Sequence, residues 1–247
     1  MSSYKLLALD MDGTLLDNEH SISQENRRWI AKAREAGITV MLATGRNLPS
    51  VMPYFQQLEL DGPLVTVNGS DVWLRPGELL QRTLLRPEAV PELVRLARHC
   101  EVKFWGHAVE GTFRQDRWPD QEEAFQWFSF AVHSENKEHL EWIRRESSRI
   151  GAFEISNSHP CNLEFNPPGI HKASGVGKVC EMLGISMDEV IAAGDSINDL
   201  ALIRAAGLGA AMGNAQEEVK RAADTVAPAN TEDGVAVLIQ RYIFGLE

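Results

Sequence analysis

The sequence predicts an α/β protein: a parallel sheet with helices on both faces, interrupted by an inserted α+β domain. Three observations carry this expectation. Strand-length apolar runs alternating with helical patterns recur at both ends of the chain, at 4–9, 38–43, 64–67, 190–193, 208–212 and 225–227. Two of these runs end in groups of acids. Between about 84 and 168 the rhythm breaks, and aromatics and histidines accumulate. A core split by an insertion explains that order, with 1–83 and 169–247 forming one sheet and 84–168 the inserted domain.

Each element has a local reason. Residues 4 to 9 are too few for a normal helix and read as a buried strand, after which Gly13 permits a sharp turn. Ser21-Ile22-Ser23-Gln24 fits a capping box, Trp29, Ile30 and Ala33 follow at helical spacing, and Gly37 closes the helix. Residues 38–43 form the next strand, parallel to the first because a strand, a helix and a strand with short links make a βαβ unit. A helix over 48–58 follows, with Pro53 able to bend it. Leu64-Val65-Thr66-Val67 is a strand ending at Asn68-Gly69, and Arg75-Pro76-Gly77-Glu78 joins two short strands into a hairpin.

Within the insertion, 87–99 and 135–149 read as helices and 101–105, 128–132 and 161–165 as strands. Arg144, Arg145 and Arg149, interleaved with Glu141 and Glu146, make a solvated helix face. His107, Glu110, Arg114 and Asp116 fall on a loop or hairpin. A turn-rich connector then leads to Lys172, just before a helix at 173–183. The strand at 190–193 runs into Gly194-Asp195-Ser196-Ile197-Asn198-Asp199 and another helix, and 232–244 is a closing helix.

Composition bounds the partners. Among 247 residues, 35 acidic against 24 basic residues leave a formal charge of −11 with no long basic run. This argues against nucleic acid or an anionic membrane as a partner. Cys100, Cys161 and Cys180 are odd in number and far apart, which fits reduced thiols in a cytoplasmic protein and not a disulfide framework or zinc site. No apolar run approaches the 18 residues of a membrane span. Gly175-Val176-Gly177-Lys178-Val179 lacks the Gly and the Ser or Thr of a Walker loop, and Gly207-Leu208-Gly209-Ala210-Ala211-Met212 lacks the third Gly of a dinucleotide fingerprint. NTP and NAD binding are therefore not expected.

The chemistry is concentrated where strands end. Asp10 and Asp12 follow the first strand, and ligands of open α/β sheets bind at the carboxyl ends of strands. One-residue spacing lets both acids point to the same side while Met11 points away. Like charges so close require a hard divalent cation such as Mg²⁺, or one protonated carboxyl. Thr44 ends the neighbouring parallel strand, where its hydroxyl and nearby backbone N–H groups can hold a phosphoryl oxygen. Asp195 can bind a metal directly, with Asn198 and Asp199 orienting the ion or its waters.

Asp-x-Asp-Gly-Thr-Leu at 10–15 resembles the first motif of the haloacid dehalogenase superfamily, in its phosphatase branch. Thr44-Gly45-Arg46 resembles the second motif, and Lys172 the third, although Ala173 stands where Gly often follows. With 194–199, these ordered motifs span essentially the whole chain. An insertion between the second and third looks like the Cof-like branch, whose members carry an α/β cap over a Rossmann-like core. The resemblance implies that Asp10 is a nucleophile forming an aspartyl-phosphate, that Asp12 is the general acid and base, and that Lys172 offsets negative charge. It implies Mg²⁺ on Asp10, the Asp12 backbone carbonyl and Asp195, and phosphoryl oxygens held by Thr44, Gly45, Asn198 and Lys172. It also implies a cap that closes on hinges near 82–86 and 166–170. The expected activity is Mg²⁺-dependent hydrolysis of small phosphorylated metabolites, sugar phosphates among them, by a monomer or homodimer. A phosphomutase or phosphotransferase using the same intermediate, and a non-catalytic phosphometabolite-binding regulator, are the alternatives.

Overall fold

A computed structural model describes residues 4–246. In chain order its first elements are β1 (Leu6–Leu9), α1 (Gln24–Glu35), β2 (Thr39–Leu42), α2 (Leu48–Gln57), β3 (Leu64–Thr66), β4 (Asp71–Arg75) and β5 (Glu78–Arg82). The middle of the chain contains α3 (Ala89–His99), β6 (Lys103–Ala108), β7 (Gly111–Arg114), β8 (Trp127–His133), α4 (Lys137–Ser147), β9 (Glu154–Ser156) and β10 (Asn162–Asn166). The chain ends with α5 (Lys172–Leu183), β11 (Val190–Gly194), α6 (Leu200–Ala205), β12 (Leu208–Ala211), α7 (Glu217–Ala222), β13 (Thr225–Val226) and α8 (Gly234–Tyr242). It divides into two compact units, one running up to Gln81 and resuming at Lys172, the other Arg82–His171.

The first unit is built on a five-stranded sheet ordered β13-β12-β11-β1-β2, parallel throughout. Leu9 lies beside Ala193 on one side and Leu42 on the other, so residues 10, 43–44 and 194–195 leave the sheet at one edge. Period-two alternation divides β1 between two cores. Leu7 and Leu9 pack with Trp29 and Ile30 of α1, Phe55 of α2 and Ile239 of α8. Leu6 and Ala8 face the opposite layer, with Val176 and Val179 of α5 and Leu202 of α6. Helices thus cover both faces, as a parallel sheet requires.

Three local expectations are corrected. Ser23 alone caps α1, its Oγ accepting from Asn26 N at 3.0 Å, while Ser21 is drawn into the Asp17 turn by a 2.9 Å bond from its N–H to Asp17 Oδ1. Lys172 opens α5 instead of preceding it. Both split segments contribute to the central sheet, but not every strand of the first joins it. β3 meets β2 through one parallel bridge, Ala43 to Val65, and otherwise pairs antiparallel with β4 in a three-stranded β3-β4-β5 sheet. The reason is the turn at Val67-Asn68-Gly69, where three successive positive φ angles of 45°, 55° and 102° reverse the chain. Left-handed geometry is costly for a β-branched residue such as Val67. Pro53 lies inside α2 without ending it.

The second unit is an antiparallel sheet ordered β7-β6-β8-β10-β9. One face packs Phe104, Phe130 and Phe165 against Leu93 of α3 and Ile143 of α4. The other face carries Trp105, His107, Arg114, His133 and Asn162, which line a cavity of about 880 Å³. His107 sits on β6 and Arg114 on β7, with Glu110 in the turn between them, its carboxylate accepting from Gln126 N at 3.2 Å. Burial, reinforced by the Arg114 charge, pushes the His107 ring down to about 4. The three cysteines are free thiols. No helix among the described residues is long and apolar enough to cross a membrane.

Candidate active site

Parallel register delivers the site. Asp10 N donates to Ala193 O at 3.0 Å and Ala43 N to Leu9 O at 2.8 Å, so the ladder continues one residue past β1 before the chain turns. At that edge Asp10, Asp195 and Asp199 each offer a carboxylate oxygen, all within 4.8 Å of one another. Lys172, 0% exposed, bridges two of them, with Nζ at 2.5 Å from Asp10 Oδ1 and 2.6 Å from Asp199 Oδ1. The other Asp199 oxygen accepts from the Asp195 and Ser196 amides at 3.0 and 3.1 Å, capping the turn before α6. Asp195 accepts from Thr14 Oγ1 at 3.3 Å and Ser196 Oγ at 2.9 Å.

Two glycines make this approach possible. A Cβ on Gly13, whose φ is +79°, would lie 2.6 Å from Asp195 Oδ2. On Gly194 it would lie 2.3 Å from Asp199 Cγ. Close backbone approach of this kind is a use of glycine that no other residue serves.

Two buried acids, Asp10 and Asp199, and the partly buried Asp195 share one buried cation, and the electrostatics follow from that deficit. Burial pushes Asp10 well above the ordinary carboxylate range; Lys172 opposes the shift, while Asp199 and Asp195 add to it. Asp195 is pushed up to about 7, first by burial and then by Asp199, against the Ser196 hydroxyl, Lys172 and Thr14. Burial disfavours the Lys172 charge, but the Asp10 and Asp199 carboxylates outweigh it and hold the ammonium protonated beyond the usual lysine range. An all-oxygen donor set with uncompensated negative charge suits a hard divalent cation. Asn198 adds a buried Oδ1 with no hydrogen-bond partner, an unfilled acceptor that an ion's water would satisfy. The residues present therefore fit a divalent metal.

The remaining predicted residues divide. Thr44 is buried beside the cluster's edge, its Oγ1 accepting from Arg46 N at 3.1 Å. Gly45 packs over Asn68, and Asn198 Nδ2 donates to Asn68 Oδ1 at 3.3 Å. Asp12 takes a different course. Its carboxylate is not one of the converging three; it is gripped by Arg46, with Nε at 2.7 Å from Oδ2 and Nη2 at 2.5 Å from Oδ1. The alternation that would align Asp12 with Asp10 fails because β1 ends at Leu9 and the turn closed by Thr14 N and Leu16 N on Met11 O has begun. Asp199 stands in the acidic cluster itself and not only behind it.

Sequence reasoning assigned no role to Arg46, Asn68 or Thr14. The signal for Arg46 and Thr14 was their place inside motifs already recognised. Asn68-Gly69 read only as a strand's end, and nothing local announces that it folds under Gly45.

The profile of the haloacid dehalogenase-like hydrolases matches residues 7–144 and 106–239. A Bacillus subtilis 5-amino-6-(5-phospho-D-ribitylamino)uracil phosphatase is 39% identical over 97% of this chain and 96% of its own. An Escherichia coli pyridoxal phosphate phosphatase is 26% identical over 97% and 98%. Among solved structures, a haloacid dehalogenase-like hydrolase from Bacteroides thetaiotaomicron superposes with a TM-score of 0.80 at 31% identity, covering 96% of this chain and 99% of that one. An acidic cluster clamped by a buried lysine at the strand ends, on a fold and sequence shared over nearly full length with these proteins, makes the chain a phosphatase of the haloacid dehalogenase superfamily, in its Cof-like branch.

Proposed function

We propose that the protein is a Mg²⁺-dependent phosphomonoesterase that hydrolyses a small phosphorylated metabolite through an aspartyl-phosphate on Asp10. The observation that carries this reading is the buried Lys172 held between Asp10 and Asp199, with Asp195 alongside. Asp10, Asp195 and the backbone at Asp12 would hold the metal, which would supply charge neutralisation between the carboxylate and the incoming phosphate dianion. Asp10 attacks phosphorus as the leaving oxygen departs. Asp12 gives that oxygen a proton, then takes one from the water that cleaves the acyl phosphate. Lys172, Thr44, Gly45 and Asn198 hold the phosphoryl oxygens, and Asp199 orients Lys172. Division of labour is required by magnitude: acid–base help supplies about 10²- to 10⁴-fold, whereas phosphate monoester hydrolysis can need up to about 10²¹-fold.

The 39% identical relative supports a substrate of the same class, a phosphorylated sugar alcohol carrying a polar heterocycle. The first experiment is phosphate release from 5-amino-6-(5-phospho-D-ribitylamino)uracil, pyridoxal phosphate, sugar phosphates and p-nitrophenyl phosphate, with Mg²⁺ and with EDTA. Asp10→Asn abolishes release and leaves circular dichroism unchanged; turnover retained by that variant refutes the nucleophile.

A further inference from the structure

Asp12 must deliver a proton to one atom, yet besides Arg46 its carboxylate has a loose approach from His20, whose exposed ring places Nδ1 3.5 Å from Oδ1. Asp12 lies in the loop after β1 with 45% of its side chain exposed. A half-exposed aspartate on a loop samples several rotamers, and acid catalysis demands hydrogen-bond alignment. Arg46 supplies the missing constraint. Its Nε and Nη2 meet the two Asp12 oxygens separately, at 2.7 and 2.5 Å, a fork that fixes the carboxylate's plane as well as its place.

Arg46 is itself held more firmly than the acid it grips. Its N–H donates to Thr44 Oγ1 at 3.1 Å and its carbonyl accepts from Val67 N at 2.9 Å. The guanidinium lies 5.2 Å from the Tyr54 ring centroid, and its side chain is 21% exposed. The same arginine thus touches the phosphate-binding hydroxyl through its backbone and the acid through its side chain. An ordinary surface ion pair needs none of this support.

We propose that Arg46 is the positioning residue for proton transfer, holding the Asp12 carboxyl where the leaving oxygen emerges. This rests on the aspartyl-phosphate reading above. In the first half, the Asp10 oxygen bonds to phosphorus, the ester P–O bond breaks, and the Asp12 proton passes to the departing oxygen. In the second, water attacks phosphorus, its proton returns to Asp12, and the acyl-phosphate bond breaks to release inorganic phosphate. Arg46 exchanges no proton in either half.

The test compares leaving groups. p-Nitrophenolate departs without a proton, whereas the alkoxide of glycerol 2-phosphate needs one. Read as the single-turnover rate of the first half, which precedes the water's proton transfer to Asp12, Arg46→Gln slows alcohol release from glycerol 2-phosphate by about 10- to 100-fold, part of the acid's full contribution, and p-nitrophenolate release by less than about threefold. Asp12→Asn shows the same selectivity, and the double variant is no slower than Asp12→Asn alone. Arg46→Lys, which keeps the charge but loses the fork, falls between wild type and Arg46→Gln. Equal losses on both substrates, a change confined to KM, additive losses in the double variant, or full activity in Arg46→Lys would overturn the proposal. The underlying reading fails separately: if Asp10→Asn turns over, the nucleophile is wrong, whereas a dead Asp10→Asn with a leaving-group-blind Arg46→Gln removes only the role of Arg46.

Discussion

Replacing Lys172 by Met removes one ammonium group and little volume. The wild-type group is fully buried, and its two contacts, 2.5 Å to Asp10 and 2.6 Å to Asp199, are the charge compensation of the acidic cluster. Removing one member of a buried ion pair costs about 3–5 kcal/mol, because the partner is left charged in a medium that solvates it poorly. At about 2–4 °C per kcal/mol for a protein of this size, the melting temperature of the sheet unit falls by about 6–20 °C. The cost depends on pH with a definite sign. Asp10 already titrates above its ordinary range, and losing Lys172 raises it further. An acid raised on folding takes up protons as the chain folds, so its contribution falls as pH rises through the window from its unfolded value to its folded one. The variant's deficit is therefore larger at pH 8 than at pH 6. Differential scanning calorimetry in EDTA at both values measures it, and Mg²⁺ at pH 8 recovers part of the loss. A variant melting within about 2 °C of wild type at pH 8 in EDTA would refute the claim that Lys172 compensates these acids.

Other perturbations probe the same site. Asp195, raised from 3.8 to about 7, makes the metal-free protein less stable as pH climbs through that window, by at most about 4 kcal/mol; Asp195→Asn flattens the slope, and Mg²⁺ raises the melting temperature more at pH 8 than at pH 5.5. Gly13→Ala puts a Cβ 2.6 Å from Asp195 Oδ2 at a φ of +79°, so kcat/KM falls by about 10²-fold and the Mg²⁺ concentration for half-activity rises, as a metal titration reads. Acidifying toward the His107 value of about 4 charges a ring that is neutral in the folded state; stability present above its unfolded value near 6.5 is lost through that window, and His107→Gln melts with a shallower pH dependence.

Most elements were legible because their causes lie within a few residues. Gly37, with φ of +85° and its N–H on Arg34 O at 2.9 Å, closes α1 where expected. Apolar runs of strand length became β1, β2, β11 and β12. β7 was legible only as part of a loop or hairpin over 107–116, and β9 escaped notice: each is short, and only pairing with β6 and β10 gives it strand geometry. β3 kept its predicted strand but not its sheet, since one left-handed turn at Val67-Asn68 outweighed the rhythm of the segments around it.

By itself, the sequence determined that acids follow Leu9 and Gly194 at strand ends, that a hydroxyl ends the strand between them and the hairpin, and that the alternation of strands and helices breaks between about 84 and 168. Periodicity, turn propensity and motif spacing are short-range properties, and they are written in adjacent residues. Tertiary structure alone decided which charges meet. Lys172 reaches Asp10 across 162 positions, and Arg46 reaches Asp12 across 34. Those distances close only because parallel register brings the ends of β1, β2 and β11 to one edge, where burial then makes each uncompensated charge costly enough to select its partner.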